Sequence, residues 1–165
     1  MLEGKLAPEL IATRWFNTDH ALTLADLRGK VVALHAFQML CPGCTQHGLP
    51  QAQKLHVLFG GEQFAMIGIH TVFEHHAAMT PPALEAFIYE YHYTFPIAVD
   101  APGDNGNAIP QTMERYRMQG TPTLVLIDRD GRIRHHWFGR LEDLVVGAAI
   151  GRLLEEVNTP NVLTA

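Results

Sequence analysis

The chain carries two cysteines, Cys41 and Cys44, in the run Cys41-Pro42-Gly43-Cys44. With two residues between them on one helical turn, both sulfurs point the same way and lie within bonding reach. Such a pair suits thiol–disulfide exchange. One thiolate attacks a disulfide, and the second resolves the mixed disulfide that forms. The thiolate is the reactive form, and a free cysteine has a pKa of about 8.5. A helix N-terminus, with unpaired N–H groups and partial positive charge, favours the thiolate. The useful place for this motif is therefore the junction of a strand and a helix. Other chemistries remain open. A C-x-x-C can be half of a zinc site, but structural zinc takes four ligands, and only His47 lies nearby with no second cysteine pair. Two inert buried thiols are the blander alternative. A disulfide scaffold would spread its cysteines along the chain.

The surrounding sequence supplies that junction. Lys30–Phe37 (KVVALHAF) reads as a buried strand, apolar and β-branched at Val31 and Val32. Pro42 fits the first turn of a helix, where a missing N–H costs nothing. This helix is expected to run to Phe59 and stop at Gly60-Gly61. Cys41 is then the exposed nucleophile, and Cys44 the resolving thiol one turn inside. Upstream, short strands are expected around Leu10–Ala12 and Ala21–Leu24, with a turn at Leu27–Lys30. Downstream, Phe64–Thr71 is a second buried strand, Pro81–Tyr91 a helix and Phe95–Val99 a short strand. Asp100–Asn107 is a loop and Ile109–Met118 a short helix. A hairpin follows, Thr123–Asp128 and Arg132–Phe138 about Arg129-Asp130-Gly131. A last helix, Leu141–Val157, shows an apolar face at Leu144, Val145, Ala148, Leu153 and Leu154. This order predicts an α/β domain with a central mixed sheet between helices.

Gly120-Thr121-Pro122-Thr123 opens the strand of the hairpin. Proline at a strand mouth is ordinarily an edge or turn feature. With a C-x-x-C upstream, a cis Thr121-Pro122 bond facing the cysteines is expected. It would leave the backbone of Thr121 free to pair with an extended substrate.

Composition narrows the classes. A chain of 165 residues fits one domain, residues 1–165, and needs no disulfide staples. The net charge of −5 favours neither nucleic acid nor an anionic membrane as partner. No stretch reaches the roughly 18 apolar residues of a membrane span. The start, Met1-Leu2-Glu3-Gly4-Lys5, lacks signal-peptide character, so a cytoplasmic location is expected. No cofactor or metal is called for.

Together these segments resemble the thioredoxin superfamily, in its TlpA-like or redoxin branch related to alkyl hydroperoxide reductases. The matching pieces are LTLADLRGKVVALHAF, CPGC, FAMIGIHTVFE, FPIAVD and GTPTLVLIDRDGRIR. They span about Ala7 to Val157. The resemblance implies a thioredoxin fold with an N-terminal extension and an α/β unit inserted between the CxxC helix and the cis-proline strand. It also implies disulfide exchange with cysteines of partner proteins, and a separate reductase or oxidant that resets the pair. By position, Cys41 resembles the attacking and Cys44 the resolving cysteine. Pro122 resembles the cis proline, and Thr121 its substrate-facing neighbour. The acid or amide usual six residues before the first cysteine is His35 here. Glu74 resembles a glutamate that follows the inserted strand.

Several positions depart from the pattern. Leu40 stands where an aromatic residue usually precedes the first cysteine. Pro-Gly reverses the Gly-Pro of thioredoxin. Pro50 lies six residues after Cys44, where five is usual, which predicts a one-residue bulge in the helix. His35 and Glu74 are both candidates to take the proton of Cys44. The bland alternatives are a satisfied core histidine and a solvated loop carboxylate. His70, His75 and His76 are expected as exposed or loop histidines rather than metal ligands, and Trp15 and Trp137 as packing residues. PGCT at Pro42–Thr45 also resembles the reactive stretch of some peroxiredoxins, with Cys44 as the peroxide-attacking thiol. The threonine those enzymes place three residues earlier is Cys41 here. A redox-inactive or metal-holding binding module is the third reading.

Overall fold

A computed structural model describes residues 1–156. Six strands form one sheet in the order β1-β4-β3-β2-β5-β6. They are β1 (Ala12–Phe16), β2 (Val31–Phe37), β3 (Phe64–His70), β4 (Ile97–Asp100), β5 (Thr123–Ile127) and β6 (Ile133–Phe138). Strands β2, β3 and β4 run parallel to one another, and β1, β5 and β6 pair antiparallel. The helices are α1 (Leu49–Phe59), α2 (Pro81–Tyr91), α3 (Gln111–Arg115) and α4 (Asp143–Glu155).

All seven residues of β2 are buried, because the strand has neighbours on both edges and cover on both faces. That is why it reads as a continuous apolar run rather than an alternating one. Its residues still divide by parity. Val31, Ala33 and Phe37 pack with Leu49 and Leu55 of α1, Leu84 and Ile88 of α2, and Val146 and Ile150 of α4. Val32, Leu34 and Ala36 face the other way, onto Tyr116, Met113 and Leu24. Each fully buried Leu or Ile contributes about 1.5–3 kcal/mol. His35 therefore lies on the side covered by α1.

Local signals set the helix ends. The Thr80 hydroxyl accepts the Ala83 N–H, and Pro81 and Pro82 fill the first turn of α2. The Asp100 carboxylate accepts the Thr112 and Met113 N–H groups at 2.8 and 3.1 Å, so the end of β4 caps α3.

Several expectations are corrected. Ala21–Leu24 forms no strand but a loop and turn, with the Leu24 and Ala25 N–H groups bonded to the Glu9 carboxylate at 2.8 and 2.9 Å. The first strand begins at Ala12 rather than Leu10. The helix expected over Ile109–Met118 is only Gln111–Arg115, since Pro110 and the Asp100 cap fix its start. His70 is buried, not loop-exposed, because β3 carries it into the core. The last helix ends at Glu155, and Val157 lies outside the described residues.

The expected bulge is present. Residues Cys44–Gly48 form a π-turn, with the Leu49 N–H reaching back to the Cys44 carbonyl. It adds one residue between the cysteines and α1, which accounts for the offset of Pro50.

Candidate active site

The exit of β2 leads straight into the cysteine turn. Gln38 is buried and braces it: its Oε1 accepts the Phe73 N–H at 3.1 Å, and its Nε2 donates to Glu74 Oε1 at 3.4 Å. The Met39 N–H donates to Nε2 of buried His70 at 3.4 Å. The Gln38 carbonyl accepts the Cys41 N–H at 3.2 Å. Strand β3 and the loop after it thus fix where the first sulfur stands.

Cys41 is partly exposed and Cys44 is buried, and both thiols are free. The Cys44 N–H points at Cys41 Sγ, 3.3 Å away, and the Cys44 and Thr45 N–H groups also reach the Cys41 carbonyl. The turn therefore presents one backbone donor, the Cys44 N–H, to the outer sulfur, as a helix start does. Burial, reinforced by the Cys41 thiol beside it, pushes Cys44 up to about 12. The outer and inner sulfurs have the unequal exposure that an attacking and a resolving thiol require.

The Thr121–Pro122 bond is cis. The Cys41 thiol donates to the Thr121 carbonyl at 3.5 Å. Pro122 Cδ would lie 3.2 Å from a Cβ built on Gly43, so any side chain at the second residue of the intervening dipeptide would press on the proline ring. Cys41, Cys44, Thr121 and Pro122 are brought together. Leu40 and Phe138, both more than half exposed, stand beside them, the Phe138 ring lying against Gly120.

The two proton-handling candidates differ. Glu74 is exposed and meets the turn only through Gln38. His35 is buried, and desolvation lowers it to about 4, so its ring is neutral. Its Nε2 is fully buried without a partner. Its ring lies against Gly48, where a Cβ would fall 2.5 Å from Cε1. Three contributors escaped the sequence reading: Gln38, Gly48 and His70 as a turn support. The polar Gln38 ending an apolar strand was the one available signal.

Among the described residues, no group of three His, Cys, Asp or Glu side chains is placed to hold a metal ion, and His75 and His76 are exposed where His70 is buried. No described helix is long and apolar enough to cross a membrane.

Comparison with known proteins bears on this geometry. Residues 2–142 match the Redoxin family. The chain belongs to that family. Its fold is the thioredoxin fold, as in a thioredoxin-like superfamily protein of known structure that shares 55% identity. The match covers 92% of this chain and 97% of that one, with a TM-score of 0.89. A thiol-disulfide isomerase from Corynebacterium glutamicum is 51% identical over 92% of this chain and 98% of its own, with a TM-score of 0.86. Thiol-disulfide oxidoreductase ResA of Bacillus cereus is 28% identical over 79% of the chain and 66% of its own length. Protein DipZ of Mycobacterium bovis is 30% identical over 91% of the chain, which spans 21% of DipZ. The chain thus spans about a fifth of DipZ and just under two thirds of ResA, and ResA and the Corynebacterium protein are the relatives named for thiol–disulfide chemistry.

Proposed function

We propose that the chain exchanges disulfides with partner proteins through Cys41 and Cys44. The observation that carries this reading is the pairing of a half-exposed Cys41 with a buried Cys44 against the Thr121 carbonyl. Cys41 attacks a disulfide of the partner, and the partner's extended segment lies along Thr121. Cys44 then attacks Cys41 Sγ, and the partner leaves as a thiolate. A separate reductase or oxidant returns the pair to its starting state.

Cys44 must give up its proton in the second step. His35 and Glu74 are the candidate acceptors. His35 lies under α1, but at about 4 its imidazole gives a proton from a thiol near 12 no resting place. It can pass a proton on, not keep it. Glu74 reaches the turn through Gln38 and so acts by positioning it.

The peroxidase reading asks Cys44 to meet peroxide as a thiolate. Its complete burial and raised pKa favour the resolving role instead.

The deciding experiment is insulin-disulfide reduction by the wild type, Cys41→Ser and Cys44→Ser. Cys41→Ser is expected to fall to the uncatalysed background, and Cys44→Ser to trap a mixed disulfide visible by mass. Peroxide consumption by Cys41→Ser and none by Cys44→Ser would overturn the reading. Equilibration with glutathione then gives the direction: about −270 mV marks a reductant and about −120 mV an oxidant.

A further inference from the structure

The carboxyl ends of the parallel strands β3 and β4 border a second cavity, apart from the cysteine pair. Its volume of about 300 Å³ is at the small end for a ligand pocket. His70, the last residue of β3, and Asp100, the last of β4, both line it. Val72, Met79 and Val99 are among its apolar walls. In open α/β sheets, ligands bind at this edge of the parallel strands. The cysteine turn leaves β2, parallel to β3, at the same edge, yet neither cysteine lines the cavity.

The polar groups decide what the cavity can take. No Lys or Arg side chain lines it. The two helices that start beside it have no N–H free for an anion. At α2, Pro81 and Pro82 carry none, and the Thr80 hydroxyl and carbonyl accept those of Ala83 and Leu84. At α3, the Gln111 N–H goes to the Ala101 carbonyl, and those of Thr112 and Met113 go to Asp100. His70 is neutral, since desolvation lowers it to about 4, and its Nε2 already accepts the Met39 N–H. His76, on the same wall, is exposed. Asp100 is the exception. It is buried and joins none of the ion pairs among the described residues. Each of its oxygens accepts one N–H, whereas a carboxylate has room for about four donors. Burial opposes its charge, and an incoming cation would offset that cost.

We propose that this cavity binds a small organic cation, an ammonium on an apolar body. The charge sits on Asp100 and the body against Val72, Met79 and Val99. The site goes beyond the disulfide-exchange reading and does not depend on it. Its position also ties it to the dithiol. His70 forms part of the cavity wall, and its Nε2 holds the N–H of Met39, two residues ahead of Cys41. Occupancy is therefore felt at the backbone that leads into the cysteine turn.

A charge series of one shape tests the site: benzylammonium, benzyl alcohol and benzoate. Each is titrated into labelled protein at about pH 8, above the ordinary range of an imidazole, and followed by amide proton–nitrogen NMR. Benzylammonium is expected to bind saturably and about tenfold more tightly than the alcohol, with benzoate weakest. The Met39 and Val72 amides are expected to shift. Asp100→Asn is expected to erase the preference for the cation. Because Asp100 also caps α3, a second variant is needed that leaves the cap alone. Ala108 is exposed and lines the cavity, so Ala108→Trp fills the mouth and is expected to weaken benzylammonium about tenfold. The site is overturned by no saturable binding, by equal binding of cation and alcohol, by tighter binding of benzoate, or by undiminished binding to Ala108→Trp.

Discussion

Two buried histidines on adjacent strands make opposite use of one residue type. His35 on β2 and His70 on β3 flank the Phe37 ring, with ring centroids 6.2 and 5.2 Å from it. Desolvation lowers both to about 4 from the ordinary 6.5. The difference is in hydrogen bonding. His70 Nε2 accepts the Met39 N–H and so fixes the backbone just ahead of Cys41. His35 Nε2 has no protein partner and faces a space for one water. Burial alone therefore does not give two histidines the same role; the state of Nε2 separates them. The imidazole whose Nε2 is filled holds the turn, and the one whose Nε2 is open makes no such bond to the protein.

The largest effect that tests this contrast is acid sensitivity. Both histidines are neutral in the folded state, and the unfolded chain protonates them below about 6.5. As the folded pKa values are depressed, each contributes stability present above pH 6.5 and lost as pH falls toward about 4. Two and a half units correspond to about 3 kcal/mol for each ring. Urea unfolding between pH 7 and pH 4 is expected to show a slope that drops by about one proton in His35→Leu and again in His70→Leu. An unaltered slope in either variant would show that ring to be solvated.

Next in size is Gly48→Ala. In an ordinary helix the added methyl would stabilise, but here it meets His35 Cε1 at 2.5 Å. The expected net cost is about 1–3 kcal/mol. In a His35→Ala background the cost should largely vanish, a coupling that a double-mutant cycle measures directly. Additive losses would mean that His35 and Gly48 are not in contact in solution.

Stability at neutral pH should then separate the histidines. His70→Leu strips the Met39 N–H of its acceptor, an expected loss of about 1–3 kcal/mol. His35→Leu removes an atom that has no partner and is expected to cost less. Equal losses would collapse the comparison. The smallest effect is expected of Lys54→Ala at the rim of the groove between α1 and the start of α4. Its pair with Asp143, 3.1 Å apart, is exposed on both sides, so thermal unfolding should shift by less than about 1 kcal/mol.

The centre of the sheet was legible because β2, β3 and β5 are apolar runs, whereas β1 and β6 mix polar and apolar residues. The cysteine pair and the cis proline were legible because each is a local motif. Even the π-turn showed itself, as the one-residue offset of Pro50. The N-terminal extension misled, since Ala21–Leu24 alternates like a strand yet has its backbone donors bonded to Glu9. The exposure of histidines misled as well. His70, His75 and His76 look alike in sequence, and only the length of β3 decides that the first is buried. The relation of His35 to Gly48 needed the fold, because it joins residues from β2 and the π-turn across a register that no spacing announces.

The π-turn has a consequence for anyone aligning or grafting this motif. One extra residue turns everything after it by about 100° around the helix axis. An alignment anchored on the cysteines will therefore place Leu49, Ala52 and Leu55 of α1 one position away from their true counterparts, and one anchored on those core residues will displace the cysteines. A dithiol turn transplanted from this chain must carry Thr45 through Gly48 with it. Otherwise the recipient helix will point its sulfurs or its core in the wrong direction.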